Sequence, residues 1–205
     1  CGLLLLAVST RGESLICDYS TWKYLEGTKE ASSPSNAWRM LNFDDAQWKE
    51  GRSGFSIGYG RYDAPTTLWE MPGKYHSLFL RKKFTLQDTE WIKSLVMRVD
   101  YRDGFVAYLN GEKVASAAAP ANPAWNGKAT SSHNDSQAQQ YVSFDLTPHI
   151  NHLREGDNIL AIHGLNESTG SSDFLIQAKL IAGIDSGLPS PPTAISPLNN
   201  DHDAN

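Results

Sequence analysis

Cysteine is scarce in this chain, and positive charge is in deficit. Cys1 and Cys17 are the only cysteines among 205 residues, which argues against a disulfide framework and leaves no C-x-x-C metal or redox motif. The 18 lysines and arginines form no extended run and are outnumbered by 23 acidic residues, so the composition offers little electrostatic basis for binding nucleic acid or an anionic membrane surface. No apolar run approaches the roughly 20 residues of a membrane-spanning helix. We therefore expect neither nucleic acid binding nor membrane insertion.

Arrangements typical of catalysis are missing as well. No G-x-S-x-G motif or comparable nucleophile pattern occurs. His149 and His152 have a spacing that suits a metal on one helical face, but no third ligand follows at a recognisable distance, and a solvated pair in a turn is the favoured reading. Asp44 and Asp45 are adjacent, so their side chains point in different directions; an Asx turn or helix cap before Trp48 explains them better than paired catalytic carboxylates. The sequence predicts that the chain is not an enzyme.

The two ends differ in composition from the middle. Residues 3–8 are apolar, and the small residues Ala7 and Ser9 have the spacing that signal peptidase recognises at its cleavage site. We therefore assign 1–15 to a signal-peptide remnant or N-terminal extension. A short buried strand is the alternative for this segment. Residues 184–205 contain four of the ten prolines, a composition typical of a stiff linker to further domains. We therefore expect one folded domain at 16–183, followed by a Pro/Ser-rich linker, in a protein that is secreted or held at the cell surface.

The middle of the chain alternates apolar and polar residues with a period of two, as strands do. The alternating stretches are 76–86, 95–101, 105–109, 141–146, 158–166 and 173–183. Asn110-Gly111 predicts a two-residue hairpin turn, since both residues accept a positive φ. Helical turns are indicated only at 44–49 and 147–153. Antiparallel strands without long amphipathic helices predict an all-β fold, an antiparallel β-sandwich of the jelly-roll type.

Several motifs recur in this order in one family of domains. They are STWKYLEG (20–27), Trp38, FDDAQWKEG (43–51), GYG (58–60), TLWEMPGKYHSLFLRKKF (67–84), DGFVAYLNG (103–111), GDNILAIHGLN (156–166) and SSDF (171–174). From about residue 16 to 183 the chain resembles the galactose-binding-domain-like jelly-roll modules of bacterial secreted and surface multidomain proteins. The resemblance implies a non-catalytic, carbohydrate-binding-module-like sandwich that binds carbohydrate or positions neighbouring domains. Arg102 stands where these modules usually have an acidic residue, which weakens the case for an ion or sugar site built on Asp-Asp-Gly.

Aromatic residues in polar loops are the candidates for a ligand surface. Trp22, Trp38 and Trp48 lie within the N-terminal motifs and are expected in the core. Trp69 and Trp125 instead occur in stretches interrupted by proline and glycine, and loops of this kind often carry binding residues. For both tryptophans, an indole folded back over the end of the sandwich is the alternative to an exposed platform.

Tyr59 and Arg61 complete the predicted binding site. With Trp69 and Trp125 they belong to the longest polar loops that contain aromatic residues, and we predict that all four surround one end of the sandwich. An indole would then contact the C–H face of a sugar ring while Arg61 donates hydrogen bonds to hydroxyl groups.

Asp103 is the one weak candidate for a metal ligand. Its carboxylate either accepts backbone N–H groups at the entry to a strand or coordinates Ca²⁺ or a sugar hydroxyl at the rim of the sandwich. Asn166 and Asp173 bracket the ESTGSS loop, where we favour a loop-fixing role over ion binding.

The sequence as a whole predicts a monomeric, non-catalytic extracellular accessory module of a larger protein. Its partner is a glycan or the neighbouring domains of the same polypeptide, and no cofactor is expected apart from a possible structural Ca²⁺. Two alternatives remain open. The chain is a purely structural spacer or docking domain, or it is an accessory domain of a hydrolase whose catalytic domain lies outside these residues.

Overall fold

A computed structural model describes residues 10–57, 64–133 and 140–185. The strands are β1 (Thr10–Ile16), β2 (Thr21–Glu26), β3 (Lys49–Arg52), β4 (Phe55–Ser56), β5 (Thr66–Thr67), β6 (Ser77–Leu86), β7 (Ile92–Arg102), β8 (Gly104–Leu109), β9 (Glu112–Ala117), β10 (Val142–Asp145), β11 (Gly156–Leu165) and β12 (Leu175–Asp185). Two short 3₁₀ helices span Ala37–Arg39 and Thr147–His152. Within these three ranges, no helix has the length and apolar character needed to cross a membrane.

The strands form two sheets of six. Sheet 1 has the order β10-β7-β12-β4-β5, with β1 also paired to β12, and sheet 2 has the order β3-β2-β6-β11-β8-β9. Every pairing is antiparallel except that of β4 with β5. From β6 onward the chain passes repeatedly between the sheets, because β7, β10 and β12 belong to sheet 1 while β6, β8, β9 and β11 belong to sheet 2. The predicted β-sandwich is therefore confirmed, and this repeated crossing is the connectivity expected of a jelly roll.

The main core lies between the inner faces of the two sheets. Its members on the central strands are Leu95, Met97 and Val99 of β7, Phe105, Ala107 and Leu109 of β8, Leu160 and Ile162 of β11, and Ala178 and Leu180 of β12. They occupy alternate positions, as the period of two predicted. Burying a side chain of the size of leucine or phenylalanine contributes about 1.5–3 kcal/mol, so this interface supplies much of the stability of the sandwich.

A second hydrophobic cluster covers the outer face of sheet 2. Its buried members are Ala31, Trp38, Trp48, Phe79, Val106, Tyr108 and Ala161, with Leu25, Phe43, Ala119 and Trp125 packed around them. Residues 28–48 and 118–127 supply the covering side chains. Strands β6 and β8 are consequently buried on both faces, whereas the alternation alone predicted strands with one buried face. Trp22, Trp38 and Trp48 are all buried, as predicted.

The folded part extends beyond the expected limits of 16 and 183. Strand β1 pairs with β12 from Thr10 opposite Asp185 to Ile16 opposite Leu180. Residues 10–15, which were predicted to belong to a signal-peptide remnant or N-terminal extension, are therefore part of sheet 1. Only Ile16 is buried among residues 11–16, so this edge strand lacks the apolar alternation that marks the others.

The hairpin between β8 and β9 is formed as predicted. Asn110 and Gly111 have φ values of 51° and 99°, which are the positive values that a two-residue turn requires. The Asn110 side chain has a further role, because its Nδ2 donates to the His152 carbonyl and to Asn158 Oδ1, each at 2.8 Å. The turn is thereby fastened to the end of the second 3₁₀ helix and to strand β11.

The two predicted helical turns have different outcomes. Residues Thr147–His152 form a 3₁₀ helix, as expected. Residues 44–49 do not form a helix, because Asp44 Oδ1 accepts the Ala46 N–H at 2.9 Å and closes the Asx turn that was the alternative.

Candidate functional site

Three loops meet at one end of the sandwich, which we call the loop end. They are residues 68–76 between β5 and β6, residues 118–133 after β9, and residues 166–174 between β11 and β12. His76 Nε2 lies 2.8 Å from the Asn126 carbonyl oxygen, and the Gly73 N–H donates to the Thr169 carbonyl at 2.8 Å. The Ala129 N–H donates to the Asn166 carbonyl at 3.0 Å. Each loop is therefore bonded to the other two.

Trp69 is the most exposed large aromatic side chain in the described ranges, with 76% of its surface accessible. Its neighbours Leu68 and Met71 are buried, at 3% and 0%. The Leu68 N–H donates to the Ser56 carbonyl at 2.7 Å, and the Met71 N–H donates to the Leu68 carbonyl at 3.1 Å. A fixed turn thus presents the indole to solvent, and the alternative of a lid does not describe Trp69.

Trp125 has different surroundings. Its side chain is half-buried and packs against the cluster on the outer face of sheet 2. Its carbonyl accepts a hydrogen bond from Ser77 Oγ. Trp69 and Trp125 therefore both belong to loops of the loop end, but Trp125 helps to cover the outer face of sheet 2, which differs from both the exposed platform and the lid over the sandwich end.

Tyr59 and Arg61 lie outside the residues that the structure describes, so their place beside Trp69 stays a prediction. The strands on either side of them are described. Phe55 of β4 pairs with Thr66 of β5, and β5 leads directly to Leu68 and Trp69.

Asp103 fastens two loops at the same end of the sandwich. Its Oδ1 accepts the His133 N–H at 3.1 Å and its Oδ2 accepts the Glu167 N–H at 2.9 Å. Burial raises the pKa of this carboxyl group, although the two N–H donors lower it. N–H groups present their positive ends to the carboxylate, so they compete with a cation for the same oxygens. The arrangement therefore fits the structural role of Asp103 better than Ca²⁺ coordination.

No group of three or more His, Cys, Asp or Glu side chains is placed to hold a metal ion in residues 10–57, 64–133 and 140–185. His149 and His152 stack on each other with ring centroids 5.8 Å apart. Their arrangement is that of a pair in a connecting turn. A structural Ca²⁺ elsewhere in the chain stays a prediction that binding measurements must test.

Arg102, which stands where the resembling modules usually have an acidic residue, is bonded to two loops of the loop end. Its guanidinium is buried and forms an ion pair with Asp173 Oδ2 at 2.9 Å, while its Nε donates to the His133 carbonyl at 3.3 Å. Asp173 also accepts the Ser171 hydroxyl at 2.7 Å, and Asn166 Oδ1 accepts the Glu167 N–H at 2.8 Å. The loop-fixing role favoured for Asn166 and Asp173 is the one that the structure shows.

Two buried polar side chains on the outer face of sheet 2 were not singled out from the sequence. Arg81 is 1% exposed, and its Nε donates to Asp45 Oδ2 at 2.7 Å. Its other donors reach the carbonyls of Trp38, Met40 and Phe43. The available signal was an arginine in the middle of an apolar strand, preceded by an acidic pair. The separation of 36 positions between Asp45 and Arg81 hides their pairing.

His163 is the second of these side chains. Its ring stacks on Phe79 with centroids 4.2 Å apart. Burial lowers the pKa of His163 to about 3, and the nearby Arg39 guanidinium acts in the same direction, while a hydrogen bond with the Trp125 main chain opposes them. The ring is therefore neutral at physiological pH.

Fold and loop geometry together define a β-sandwich module with a loop end that presents one exposed tryptophan.

No protein-family model matches the chain, and no curated protein matches it. Among solved structures, β-glucuronidase 2 of Bacteroides uniformis is similar with a TM-score of 0.51 and 19% identity, over 85% of this chain and 18% of that one. A β-glucuronidase of an uncultured Clostridium sp. has a TM-score of 0.51 and 13% identity, over 91% of this chain and 31% of that one.

A glycosyl hydrolase family 2 member from Bacteroides cellulosilyticus is similar with a TM-score of 0.50 and 14% identity, over 84% of this chain and 20% of that one. Likeness at such low identity shows the fold alone. The chain spans between 18% and 31% of the length of these three proteins, so the similar region is one part of each of those larger chains.

Proposed function

We propose that this chain is a non-catalytic, extracellular accessory module that binds carbohydrate at its loop end. The observation that carries the proposal is Trp69, an indole with 76% of its surface exposed on a turn whose neighbouring side chains are buried. An exposed aromatic side chain that is held by a rigid scaffold loses little conformational entropy when a ligand stacks on it. The similar solved structures are glycosidases, in which this fold accounts for a minor part of the chain.

The groups around Trp69 suit a sugar. Glu70 follows Trp69 in the sequence and forms an exposed ion pair with Lys74 at 3.2 Å. A sugar hydroxyl both donates and accepts hydrogen bonds, so it can bond to the carboxylate and to the ammonium group. A single stacked ring contributes about 1 kcal/mol, and the expected affinity is therefore weak, on the order of millimolar for one site. Tyr59 and Arg61 are the further ligand residues of this proposal.

The proposal assigns catalysis to a domain outside residues 1–205 and places the protein outside the cell or at its surface. A carbohydrate-binding module in that setting would hold a hydrolase near its polymeric substrate and raise the local substrate concentration. The neighbouring domains of the same polypeptide are then its protein partners.

A spacer or docking domain is the second candidate. Exposed tryptophans are frequent anchors of protein interfaces, so Trp69 also suits contact with a neighbouring domain. Thr10 and Asp185 are paired at the edge of sheet 1, which places the two ends of the described fold side by side. A sandwich with this arrangement can sit between other domains without separating them widely.

Calorimetric titration with a panel of oligosaccharides, with and without Ca²⁺, tests the proposal. We expect at least one glycan to bind, and we expect Trp69→Ala to weaken it about fivefold, which corresponds to the loss of about 1 kcal/mol. Met40→Ala is the matched control, because Met40 is another exposed large apolar side chain, at 43%, and belongs to the segment that covers sheet 2.

Two results would contradict the proposal. Glycan binding that Trp69→Ala leaves unchanged, with an intact fold, would place the site away from Trp69. If no glycan binds, the spacer or docking function replaces carbohydrate binding. A requirement for Ca²⁺ would restore the metal hypothesis and direct attention to carboxylates other than Asp103.

A further inference from the structure

The outer face of sheet 1 carries a group of polar side chains that the loop end does not use. The outward positions of its two central strands, β7 and β12, are half-buried and comprise Val96, Arg98, Asp100, Gln177, Lys179 and Ile181. Arg98 lies opposite Lys179 in the register of these strands, and Asp100 lies opposite Gln177. Opposite side chains are about 5 Å apart at Cβ, and successive outward residues on one strand are about 7 Å apart. Four polar side chains therefore form a compact square.

Tyr141 lies against this square. Ser143 of β10 is opposite Arg98, so Tyr141, two residues earlier, reaches the face from the same edge of the sheet. Its hydroxyl donates to Asp18 Oδ1, and Lys179 Nζ donates to Asp18 Oδ2 at 2.8 Å.

Two cations lie near the Tyr141 ring. Lys179 Nζ is 4.1 Å from the ring centroid and Arg98 Cζ is 5.3 Å from it. The phenol is therefore held at its hydroxyl and at its ring, and the half-buried side chain is fixed before any ligand arrives.

Arg98 and Asp100 each have a polar atom without a partner. Arg98 Nε and Asp100 Oδ1 are buried and form no hydrogen bond in the part of the chain that the structure describes. Buried polar atoms are nearly always hydrogen-bonded, and these two belong to neighbouring outward positions of one strand. They are a donor and an acceptor, yet they do not bond to each other.

Both side chains are half-buried, and a hydroxyl group inserted between them would satisfy both atoms at once. It accepts a hydrogen bond from the Nε–H of Arg98 and donates one to the carboxylate of Asp100. Burial raises the pKa of the Asp100 carboxyl group, although His133 and Arg102 lower it, as expected for a carboxylate without a direct partner. Within this group the two cations, Arg98 and Lys179, are matched by two carboxylates, Asp18 and Asp100, so the group offers no surplus charge to an ionic ligand.

We propose that the outer face of sheet 1, centred on Tyr141, is a second binding surface for a neutral carbohydrate chain. Arg98, Asp100 and Gln177 supply hydrogen bonds to its hydroxyl groups, and Tyr141 supplies a fixed aromatic contact. The inference rests on the proposed carbohydrate-binding function for its class of ligand, but it uses residues that are separate from Trp69. A module with two such sites holds a polymer more tightly than either site alone, provided that one chain can reach both.

Affinity electrophoresis of the full chain through gels containing soluble xylan or mixed-linkage β-glucan tests the surface, with polygalacturonate as the acidic comparison. We expect both neutral polymers to retard the protein more than polygalacturonate does. Tyr141→Ala should raise the apparent Kd about tenfold because it removes the aromatic contact, and Asp100→Asn about threefold because it replaces a charged acceptor with a weaker neutral one. Lys93→Ala, an exposed position on the same strand, is the matched control and should change nothing.

A second measurement guards against misfolded variants. Tyr141→Phe keeps the aromatic ring and removes only the bond to Asp18, and thermal unfolding reports whether each variant is folded. In the unmodified protein, the NMR signal of the Arg98 Nε–H should shift when xylohexaose is added, since this atom gains a partner. That result needs no substitution.

The outcomes separate this inference from the proposed function. Retardation that survives Tyr141→Ala and Asp100→Asn but is lost in Trp69→Ala would overturn the second surface and leave the loop end as the site. An unshifted Arg98 Nε–H signal in the presence of binding would also overturn it, and an ordered water would then account for the two unpartnered atoms. If no neutral polymer retards the protein, both proposals fail together.

Discussion

The outer faces of the two sheets have similar sequence patterns and different environments. On sheet 2, residues 28–48 and 118–127 pack over Phe79, Val106 and Tyr108, and the face becomes a second core. On sheet 1, the outward residues of β7 and β12 stay half-buried and mostly polar. Each face has an arginine in the middle of a long strand, but Arg81 of sheet 2 is 1% exposed whereas Arg98 of sheet 1 is half-buried. The comparison teaches that alternation decides which residues share a face, while the connecting segments decide whether that face contacts water.

Arg81 is stable on the outer face of sheet 2 because residues 38–45, in the segment that covers this face, supply its hydrogen-bond acceptors. Asp45 and three carbonyls from residues 38–43 surround the guanidinium. A buried arginine is stable only when its charge is paired and its donors are satisfied. Arg81 therefore fixes the path of the covering segment as well as contributing to strand β6.

The largest expected effect comes from removing this arginine. Arg81→Leu leaves Asp45 without its cation and three carbonyls without a donor, so we expect a loss of about 3–5 kcal/mol in the free energy of unfolding. Urea denaturation measures it. Arg98→Leu on the other sheet is the matched control and should change stability by no more than about 1 kcal/mol. Equal losses from the two substitutions would show that the faces do not differ in the way described.

Substituting one glycine near each sheet compares their sensitivity to an added side chain. Gly111 has a φ of 99°, and a Cβ there would lie 2.5 Å from Met40 Sδ on the covering segment. Gly111→Ala should cost on the order of 1–3 kcal/mol through the forced positive φ. Gly12 of sheet 1 is the control, since a Cβ there meets only Ile181 at an ordinary 3.7 Å. A melting midpoint unchanged in Gly111→Ala would speak against the hairpin as a source of stability.

Acid should lower the stability of the folded protein through His163, which is buried on the outer face of sheet 2. Burial lowers the pKa of His163 to about 3 in the folded protein, against an ordinary value of 6.5. Between these values the unfolded chain binds a proton that the folded protein does not, so stability falls as the pH drops below 6.5 and is restored on return to neutral pH. At 1.36 kcal/mol per pH unit, the loss between pH 7 and pH 5 is about 2 kcal/mol.

Denaturation curves at pH 7 and pH 5 check this prediction. His163→Phe should reduce the difference between the two curves, because phenylalanine can stack on Phe79 without binding a proton. Tyr108→Phe, in the same cluster, changes no group that titrates in this range and should retain the wild-type difference. An undiminished difference in His163→Phe would assign the acid sensitivity to other residues.

The smallest effect is expected at Trp69. Trp69→Ala should alter the free energy of unfolding by no more than about 0.5 kcal/mol, because its indole is largely in solvent. Trp38→Ala, in the covered cluster, should cost about 3–5 kcal/mol. Thermal unfolding of the two variants compares a surface tryptophan with a buried one. A large loss at Trp69 would mean that the side chain supports the fold and is not free to bind a ligand.

Much of the fold followed from local pattern. The strands at 76–86, 95–101 and 105–109 and the turn at Asn110-Gly111 were predicted because each has a strong period-two or turn signal within a few residues. Strand β1 was missed because its polar residues lie at a sheet edge, where only Ile16 is buried among residues 11–16. The exposure of Trp69 and the covering role of Trp125 could not be distinguished, since both lie in similar polar loops.

The sequence by itself determined the class of fold, the pairing of apolar residues into inner faces and the position of the hairpin. These depend on the alternation of side chains along one strand and on the backbone preferences of two residues, which are local properties. The tertiary structure alone decided that Arg81 meets Asp45, that His163 is buried and neutral, and that Arg98 and Asp100 share a face with Tyr141 without bonding to each other. Those facts depend on contacts between segments tens of residues apart, and burial, pairing and pKa are set by the neighbours that folding brings together.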